Sequence, residues 1–494
     1  MILSFDEIGK ILVIKVKCSY LCAPDIMSLE QEINRVSRWG GGCVIIDILS
    51  VEQISYSGVA ALIELRSVLR RQVEIFVVCL DKQFATEEKM KLKSLLRSFS
   101  SVEVALKDEY LKQVTLCGVK AVILCNDLED YSFSSLFPSK CSSLLDCVGE
   151  PLIARVVNNL TKYGIRDFIL NPGASSQEVQ YCVPHSSRKS MTFLNEGGNL
   201  SSKGWTSQNL GSGGALINIC QVLNAFQEDF VVTSGNVFFN IDFVDALQRH
   251  KQIKADVTII GNENEIAVEG SSKKIQLIAR NVDSVPTVST FQKYTSGKAI
   301  AYVFSPRSLK ECNLTASADI ESDLIPHIVS QGGKVQFLTA KESYRPTDSP
   351  LQYYNFLRLA LSKLLPWFEL DGLININETW ACKTSKISAS SSFLGTNYLA
   401  DHSIVGAEAI LEDCCVMEGG RISQNATIKR SLIMPGAVVR PGKQFSNVVV
   451  FKNGVYPMTS QILWNQGQRQ KEGNISYTET GGQILQKKWQ FVLP

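Results

Sequence analysis

The chain has 494 residues, 45% hydrophobic and 20% charged, with 50 Lys and Arg against 48 Asp and Glu for a net charge of +2. That length exceeds a single hydrophobic core and predicts roughly two to four domains, and the composition excludes general disorder. Near-balanced charge gives no basis for nucleic acid or an anionic membrane as partner, since such partners leave a clustered basic face.

The 14 cysteines are scattered from Cys18 to Cys415 with no CxxC pair, so a zinc site is not expected. The opening MILSFDEIGKILVIKVK lacks a cleavage pattern, and no segment approaches the ~18 uncharged apolar residues of a membrane span. A cytoplasmic protein is expected, its reduced thiols packed as small hydrophobes.

Residues 1–112 alternate apolar segments read as strands (ILVIKV, CVIID, EIFVVCL, VEVAL) with helical patterns (SLEQEINRVSRW, VAALIELRSVLRRQ), and KDEYLKQV reads as a last helix. This is a small α/β domain. A second α/β run, assigned to 119–365, opens at VKAVIL, followed by the helix EPLIARVVNNLTKYG and the strand DFILN. Gly164 is placed to end that helix and Pro151 suits its start. Farther on, ALINICQVLNAF and VDALQRHK read as helices around the strand FVVTSG. Strands alternating with helices predict a mostly parallel sheet covered on both faces, with ligands beyond the strands' carboxyl ends.

From about Asp371 the pattern changes. Ile404, Ile410, Val416, Ile422 and Ile428 recur every six residues, and after a one-residue slip Ile433, Val439 and Phe445 resume the period. A six-residue repeat with small residues nearby (Gly406, Ala409, Gly436, Ala437) predicts a parallel β-helix, assigned to 372–458. The Gln-, Asn- and Gly-rich residues 459–494 form a polar tail.

CVIIDILSVEQISYSGVAALIEL, Cys43 to Leu65, resembles the STAS family of sulfate transporters and anti-sigma-factor antagonists. In that family a strand ending in Asp leads to a phosphorylatable serine, then glycine and a helix; the matching positions are Asp47, Ser57 and Gly58. The resemblance makes Ser57 a candidate phosphorylation site and implies a serine kinase or regulator as partner. The other reading of Ser57 is a helix N-cap. The family's acid before the serine pair is absent here, where Ile54, Ser55 and Tyr56 stand.

Residues 119 to about 362 resemble sugar-1-phosphate nucleotidyltransferases, which make NDP-sugars from an NTP and a sugar phosphate. The resemblance rests on KAVILCNDLEDYSFSSLFPSKCSSLLDCVGEPLIARVVNNLTKYGIRDFIL, QNLGSGGAL, FVVTSGNVFFNID, AIAYVFSPRSL and DIESDLIPHIVSQGGKVQF. It implies a Rossmann-like domain often followed by a left-handed β-helix, and a homo-oligomer.

The family's chemistry gives a series of checks. Its first loop is glycine-rich and ends in an arginine that stabilises departing pyrophosphate; here Asn126 and Asp127 stand at the glycine positions, Glu129 and Asp130 follow, and Tyr131 is near the arginine's place. Lys140 is the candidate for the phosphate-contacting lysine of the PKP segment, about two residues out of register. Magnesium in the family is held by an aspartate after the strand-end glycine and by a second near the domain's end. Those places carry Asn236 and Pro346, with Asp348 two residues beyond. The sugar-binding EKP segment has LIARN, Leu277 to Asn281, in its neighbourhood. Gln208, Gly211, Gly213 and Gly214 keep the nucleobase side, and the alternative is a helix-capping turn. Asp242 reads as an N-cap.

Three readings follow: a catalytically degenerate nucleotidyltransferase-like protein that binds a nucleotide or NDP-sugar and signals through its first domain; an active enzyme with displaced groups, requiring Mg²⁺; or a non-catalytic oligomeric scaffold. Acyl transfer on the β-helix is disfavoured, since that region offers only His402 as a base.

Overall fold

The structure is a computed structural model describing residues 1–8, 11–36, 43–69, 75–80, 87–125, 141–173, 176–183, 189–194, 198–201, 204–207, 210–223, 226–261, 267–269, 293–295, 299–310, 312, 318–340, 342–346, 349–365, 368–370, 372–376 and 378–458. The chain divides into two compact units, Met1–Asn126 with Ile153–Ser343, and Asp127–Leu152 with Tyr344–Pro494.

The first unit opens with β1 (Ile2–Ile8), β2 (Ile11–Leu21), α1 (Ala23–Val36), β3 (Cys43–Ile54), α2 (Tyr56–Leu69), β4 (Ile75–Cys79), α3 (Glu87–Leu95), β5 (Arg97–Phe99), α4 (Val102–Leu106) and α5 (Glu109–Thr115). The five strands form one sheet in chain order, β1 antiparallel to β2 and the rest parallel. Alternation along the strands feeds two cores, as a two-residue side-chain period requires. Leu12, Ile14, Val44 and Ile46 pack with Leu29, Leu62 and Leu65 of α1 and α2. Ile11, Val13, Cys43, Ile45 and Val77 pack with Val102, Ala105, Leu111 and Val114 of α4 and α5.

Two sequence expectations change here. VEVAL is helix α4, not a strand: Ser101 caps it by accepting from the Val104 N–H at 3.2 Å, and Val102 and Ala105, three apart, bury one side. This local cap outweighs the β preference of the two valines. Strand β3 also does not end at Asp47 but runs on to Ile54, with an irregularity in its pairing to β2 near that point.

The same unit continues with β6 (Lys120–Leu124), α6 (Leu152–Lys162), β7 (Asp167–Asn171), α7 (Ser176–Cys182), β8 (Ser190–Phe193), the hairpin β9 (Gly198–Ser201) and β10 (Gly204–Ser207), α8 (Gly211–Leu223), β11 (Phe230–Ser234), β12 (Phe238–Asn240), α9 (Phe243–Ile253), β13 (Val257–Gly261), the pair β14 (Ala267–Glu269) and β15 (Lys293–Thr295), β16 (Ala301–Phe304), α10 (Arg307–Lys310), α11 (Ile325–Ser330) and β17 (Val335–Thr339). Seven strands form a sheet in the order β17-β13-β16-β11-β6-β7-β8. Only β16 runs antiparallel to its neighbours, so the sheet is mostly parallel, as the alternation of elements predicts. Gly164 follows α6 at φ 95°, the conformation its predicted helix-ending role requires.

At one rim of this sheet a polar chain is enclosed up to the half-buried Asp229. His250 is 1% exposed; its Nδ1 lies 2.7 Å from Thr258 Oγ1 and its Nε2 2.9 Å from Ser305 Oγ. Ser305 Oγ lies 2.8 Å from Asp229 Oδ1, and the Thr258 hydroxyl 3.2 Å from Gln336 Oε1. Burial pushes the His250 imidazole down to about 4 despite the nearby Asp229 and Asp256.

In the second unit, α12 (Pro350–Leu361) precedes a stack of short parallel strands forming three sheets. The stack agrees with the expected β-helix, and the predicted inward series holds from Val416 onward, whereas before it Val405 and Leu411 face inward in place of the predicted Ile404 and Ile410. Leu399, Val405, Leu411, Val416, Ile422, Ile428, Ile433, Val439, Phe445 and Val450 face inward, at intervals of six, six and five. Ile410 is instead 37% exposed. Each rung therefore takes 17 residues, as the pairings Val405↔Ile422↔Val439 and Leu411↔Ile428↔Phe445 show. The slip seen in the sequence recurs on every such rung. It falls at a corner where Asp413, Arg430 and Asn447 have φ of 53°, 42° and 55°. Asp413 offsets this unfavourable conformation by accepting the Thr396 N–H at 3.0 Å. One outer face is apolar and buried, with Tyr398, Cys415, Leu432 and Val449 among its residues, and Tyr353 of α12 reaches Met417 on it. The Tyr353 and Tyr398 hydroxyls both donate to Asp146, at 2.5 and 2.6 Å.

Candidate functional site

Two turns carry the sequence-predicted chemistry. The first joins β3 to α2. Ser55, not Ser57, is the cap: its Oγ accepts the Gly58 N–H at 3.0 Å and lies 3.2 Å from the Leu21 carbonyl, to which its own hydroxyl donates. Gly58 is required sterically, because a Cβ there would stand 2.7 Å from the Leu21 carbonyl oxygen. Ser57 is exposed in the first turn of α2, its hydroxyl 3.0 Å from Ser55 Oγ. The capping alternative is thus filled by a neighbour two residues earlier. Tyr56, 64% exposed, lies beneath Lys91, whose Nζ is 3.0 Å from the phenol oxygen and 4.3 Å from the ring centre. Asp47 accepts the Leu49 N–H at 3.0 Å and is half-buried.

The second turn ends β11. Strands β11 and β6 run parallel in register from Val231↔Ala121 to Ser234↔Leu124, and the Gly235 N–H donates to the Leu124 carbonyl at 2.9 Å. The turn bearing Asn236 is therefore tied to the strand end from which the acidic loop departs. Asn236 is half-buried, and its Oδ1 accepts the Ser234 hydroxyl at 2.6 Å. A carboxylate would offer only acceptors at this position, whereas the amide brings two N–H donors and no charge. Asp242 is the N-cap that the sequence predicts, accepting from the Val244 and Asp245 N–H groups at 3.0 and 3.1 Å.

Magnesium is a poor fit to this arrangement. It favours one or two carboxylates with substrate phosphates, while the turn presents one neutral oxygen already accepting a hydrogen bond. Pro346 is buried and offers no side-chain donor atom. Among the described residues no group of three or more His, Cys, Asp or Glu could hold a metal ion.

The glycine-rich start of α8 makes its close approach to the chain itself. The Gly213 and Gly214 N–H groups both donate to the Ala318 carbonyl, at 2.8 and 3.0 Å. A Cβ on Gly211, whose φ is 69°, would overlap that carbonyl, and one on Gly213 would come within 2.9 Å of the Asp319 backbone. The Ser212 hydroxyl donates to Asp319 Oδ2 at 2.5 Å and accepts the Ile320 N–H at 2.9 Å. Sequence reading missed Ala318 and Asp319, since nothing local signals a partner about a hundred residues away. Ser55 was missed as well, with the cap assigned to Ser57, although a serine directly preceding the helix is the signal that marks it.

Asn126, Asp127, Glu129, Asp130, Tyr131, Lys140, Gln208, Leu277 to Asn281 and Asp348 lie outside the described residues. Nine of the cysteines are buried, and burial pushes the Cys43 and Cys79 thiols up to about 12. They pack as hydrophobes rather than act as nucleophiles. His402 lies exposed at a corner of the stack. No described helix is long and apolar enough to cross a membrane.

Residues 4–105 match the STAS domain family and residues 138–269 the nucleotidyl transferase family. The UTP–glucose-1-phosphate uridylyltransferase of Synechocystis sp. is 20% identical over 330 residues, 63% of this chain and 83% of that protein. Mannose-1-phosphate guanyltransferase beta-A of Xenopus laevis is 22% identical over 323 residues, covering 63% and 85%. Among solved structures, HddC from Yersinia pseudotuberculosis, complexed with GMP-PN, shares 18% identity over 48% of this chain and 98% of its own, at a TM-score of 0.35, too slight a likeness to carry an argument. A STAS domain is thus fused to a nucleotidyltransferase domain distantly related to the sugar-1-phosphate nucleotidyltransferases.

Proposed function

We propose that this chain binds a nucleotide or NDP-sugar without catalysing nucleotidyl transfer, and that its STAS domain, residues 1–112, signals through Ser57. The observation that carries the reading is Asn236: a neutral amide, held by Ser234, at the place of the family's metal-binding aspartate. Tyr131 in place of the arginine, the acidic residues Asp127, Glu129 and Asp130 and the side chain of Pro346 point the same way. Three carboxylates in that loop would repel a triphosphate held there for transfer, which counts against catalysis from an NTP. The distant relatives supply the ligand class, since each named above acts on a sugar 1-phosphate. In this reading residues 119–365 form the binding domain, 372–458 a left-handed β-helix that supports self-association, and 459–494 a polar tail. Phosphorylation of Ser57 by a serine kinase would add nearly two negative charges at the start of α2, where the helix dipole favours them.

The test is titration of the purified chain with UTP, GTP and their NDP-sugars, with and without Mg²⁺, followed by a pyrophosphate-release assay with sugar 1-phosphates. Saturable binding indifferent to Mg²⁺ and no pyrophosphate release are expected. Turnover with any sugar 1-phosphate would overturn the reading in favour of an active enzyme with displaced groups, and absence of binding would favour the scaffold.

A further inference from the structure

The join between the STAS domain and the nucleotidyltransferase sheet is short and tightly seated. Helix α5 places Leu111 and Val114 in the STAS core beside Ile45 and Val77. Only residues 116–119 then separate it from β6. The Leu116 N–H donates to the carbonyl of Tyr163 at 3.1 Å. Gly164 faces α5 so closely that a Cβ there would stand 2.7 Å from the Gln113 carbonyl oxygen. The glycine expected only to end α6 is thus also the seat on which α5 rests.

The other side of the same helix end holds the turn that bears Asn236. Tyr163 meets Phe243 edge-on with ring centres 6.2 Å apart, and Phe243 meets Phe239 at 5.6 Å in the same manner. Asn159 donates from Nδ2 to the Phe239 carbonyl. Residues 237–239, 241 and 243 are buried, so the segment between Asn236 and α9 is packed rather than draped. Close-packed contacts of this kind transmit displacement, because interiors have little free volume to absorb it.

We infer that the carboxyl end of α6, Asn159 to Gly164, relays the position of STAS helix α5 to the turn bearing Asn236. The inference rests on the reading of that turn as part of a ligand site; the contacts themselves do not. A shift of α5 in the STAS core presses on Gly164 and Tyr163, and Tyr163 carries it to Phe243 and Phe239. Ligand at the turn and a partner on the STAS domain would then influence each other reciprocally, as any two linked sites must.

Hydrogen exchange on the full-length chain tests the relay without ligand. Val114→Ala loosens α5 from within the STAS core, and Gly164→Ala displaces it at the seat. Each is expected to raise exchange about tenfold in peptides spanning 109–118 and also in those spanning 236–243, with 404–439 unchanged. Faster exchange in 109–118 with 236–243 at its original rate would overturn the inference. Should Gly164→Ala fail to fold, Tyr163→Leu keeps apolar bulk and removes the ring contact. It should loosen 236–243 while making that segment insensitive to Val114→Ala, and continued sensitivity would count against the relay. UTP and GTP titrations of the same variants separate the two claims. No binding to any of them refutes the ligand reading, whereas the exchange data still decide on the relay.

Discussion

Helices α2 and α8 both begin at a turn of serine and glycine, and they differ in what reaches the turn from the rest of the chain. At α2 the Leu21 carbonyl and Ser55 complete the turn, leaving Ser57 at the surface with its hydroxyl against Ser55. At α8 the Ala318 carbonyl takes two helix N–H groups and Asp319 takes the Ser212 hydroxyl. A similar local sequence therefore yields an accessible hydroxyl in one domain and an internal joint in the other. Glycine-rich helix starts are ready-made anion sites only while their amides remain available. The difference leaves an accessible hydroxyl at α2 and a structural joint at α8.

The largest effect should come from closing space at the joint. Gly211→Ala adds a Cβ against a backbone carbonyl at positive φ and should lower stability by about 3 kcal/mol, read as a shifted denaturation midpoint. A change under ~0.5 kcal/mol would mean that the Ala318 carbonyl does not close the α8 turn.

Acid offers the next contrast. The STAS domain contains no histidine, whereas the nucleotidyltransferase sheet encloses His250. Its imidazole is lowered to about 4 by burial, with Asp229 and Asp256 opposing and Arg307 and Lys251 assisting. The fold therefore favours neutral His250. Its contribution is complete above about pH 6.5 and falls as pH drops toward 4, by on the order of 3 kcal/mol. Unfolding followed from pH 7 to 4 should show a loss that His250→Gln flattens; an unchanged slope would remove His250 from the account.

Ser55→Ala should cost about 1 kcal/mol as the loss of an N-cap. Ser57→Ala should stay within ~0.5 kcal/mol, as expected for an exposed site. Equal losses from the two serines would erase the distinction drawn at α2. The smallest effect on the fold should come from Ser57→Asp, which leaves the melting temperature nearly unchanged while altering capture of a kinase or regulator.

Local signals were the most legible. Asp242 and Gly164 could be placed from sequence because a cap needs only its own helix, and the long apolar strands because burial on both faces leaves uninterrupted runs. VEVAL misled because its two valines outweighed Ser101 on paper but not in the chain. The β-helix was legible as a period, and in phase from Val416 onward, but not at its first two positions. Ile404 and Val405, and Ile410 and Leu411, are adjacent aliphatics, and hydropathy cannot tell which member of such a pair turns inward. At the candidate site, Asn236 was visible as a substitution, but its bond to Ser234 was not. The Ala318 contact, made across about a hundred residues, has no local trace at all.

The rung arithmetic of the β-helix has a consequence for how this chain can vary. In the first coil the residues in register with the inward series, Ala381, Ile387, Phe393 and Leu399, run six, six and six, one residue longer than those that follow, with Ile387 itself exposed. The surplus falls beyond Gly395, where the Asn397 amide donates to the Leu394 and Gly395 carbonyls at 3.0 and 3.2 Å and accepts the Cys414 N–H of the next rung at 2.9 Å. A single insertion anywhere along a strand would turn its inward residues outward. At this corner the same insertion is already present and satisfied, which marks it as the place where the coil can gain or lose a residue and still close.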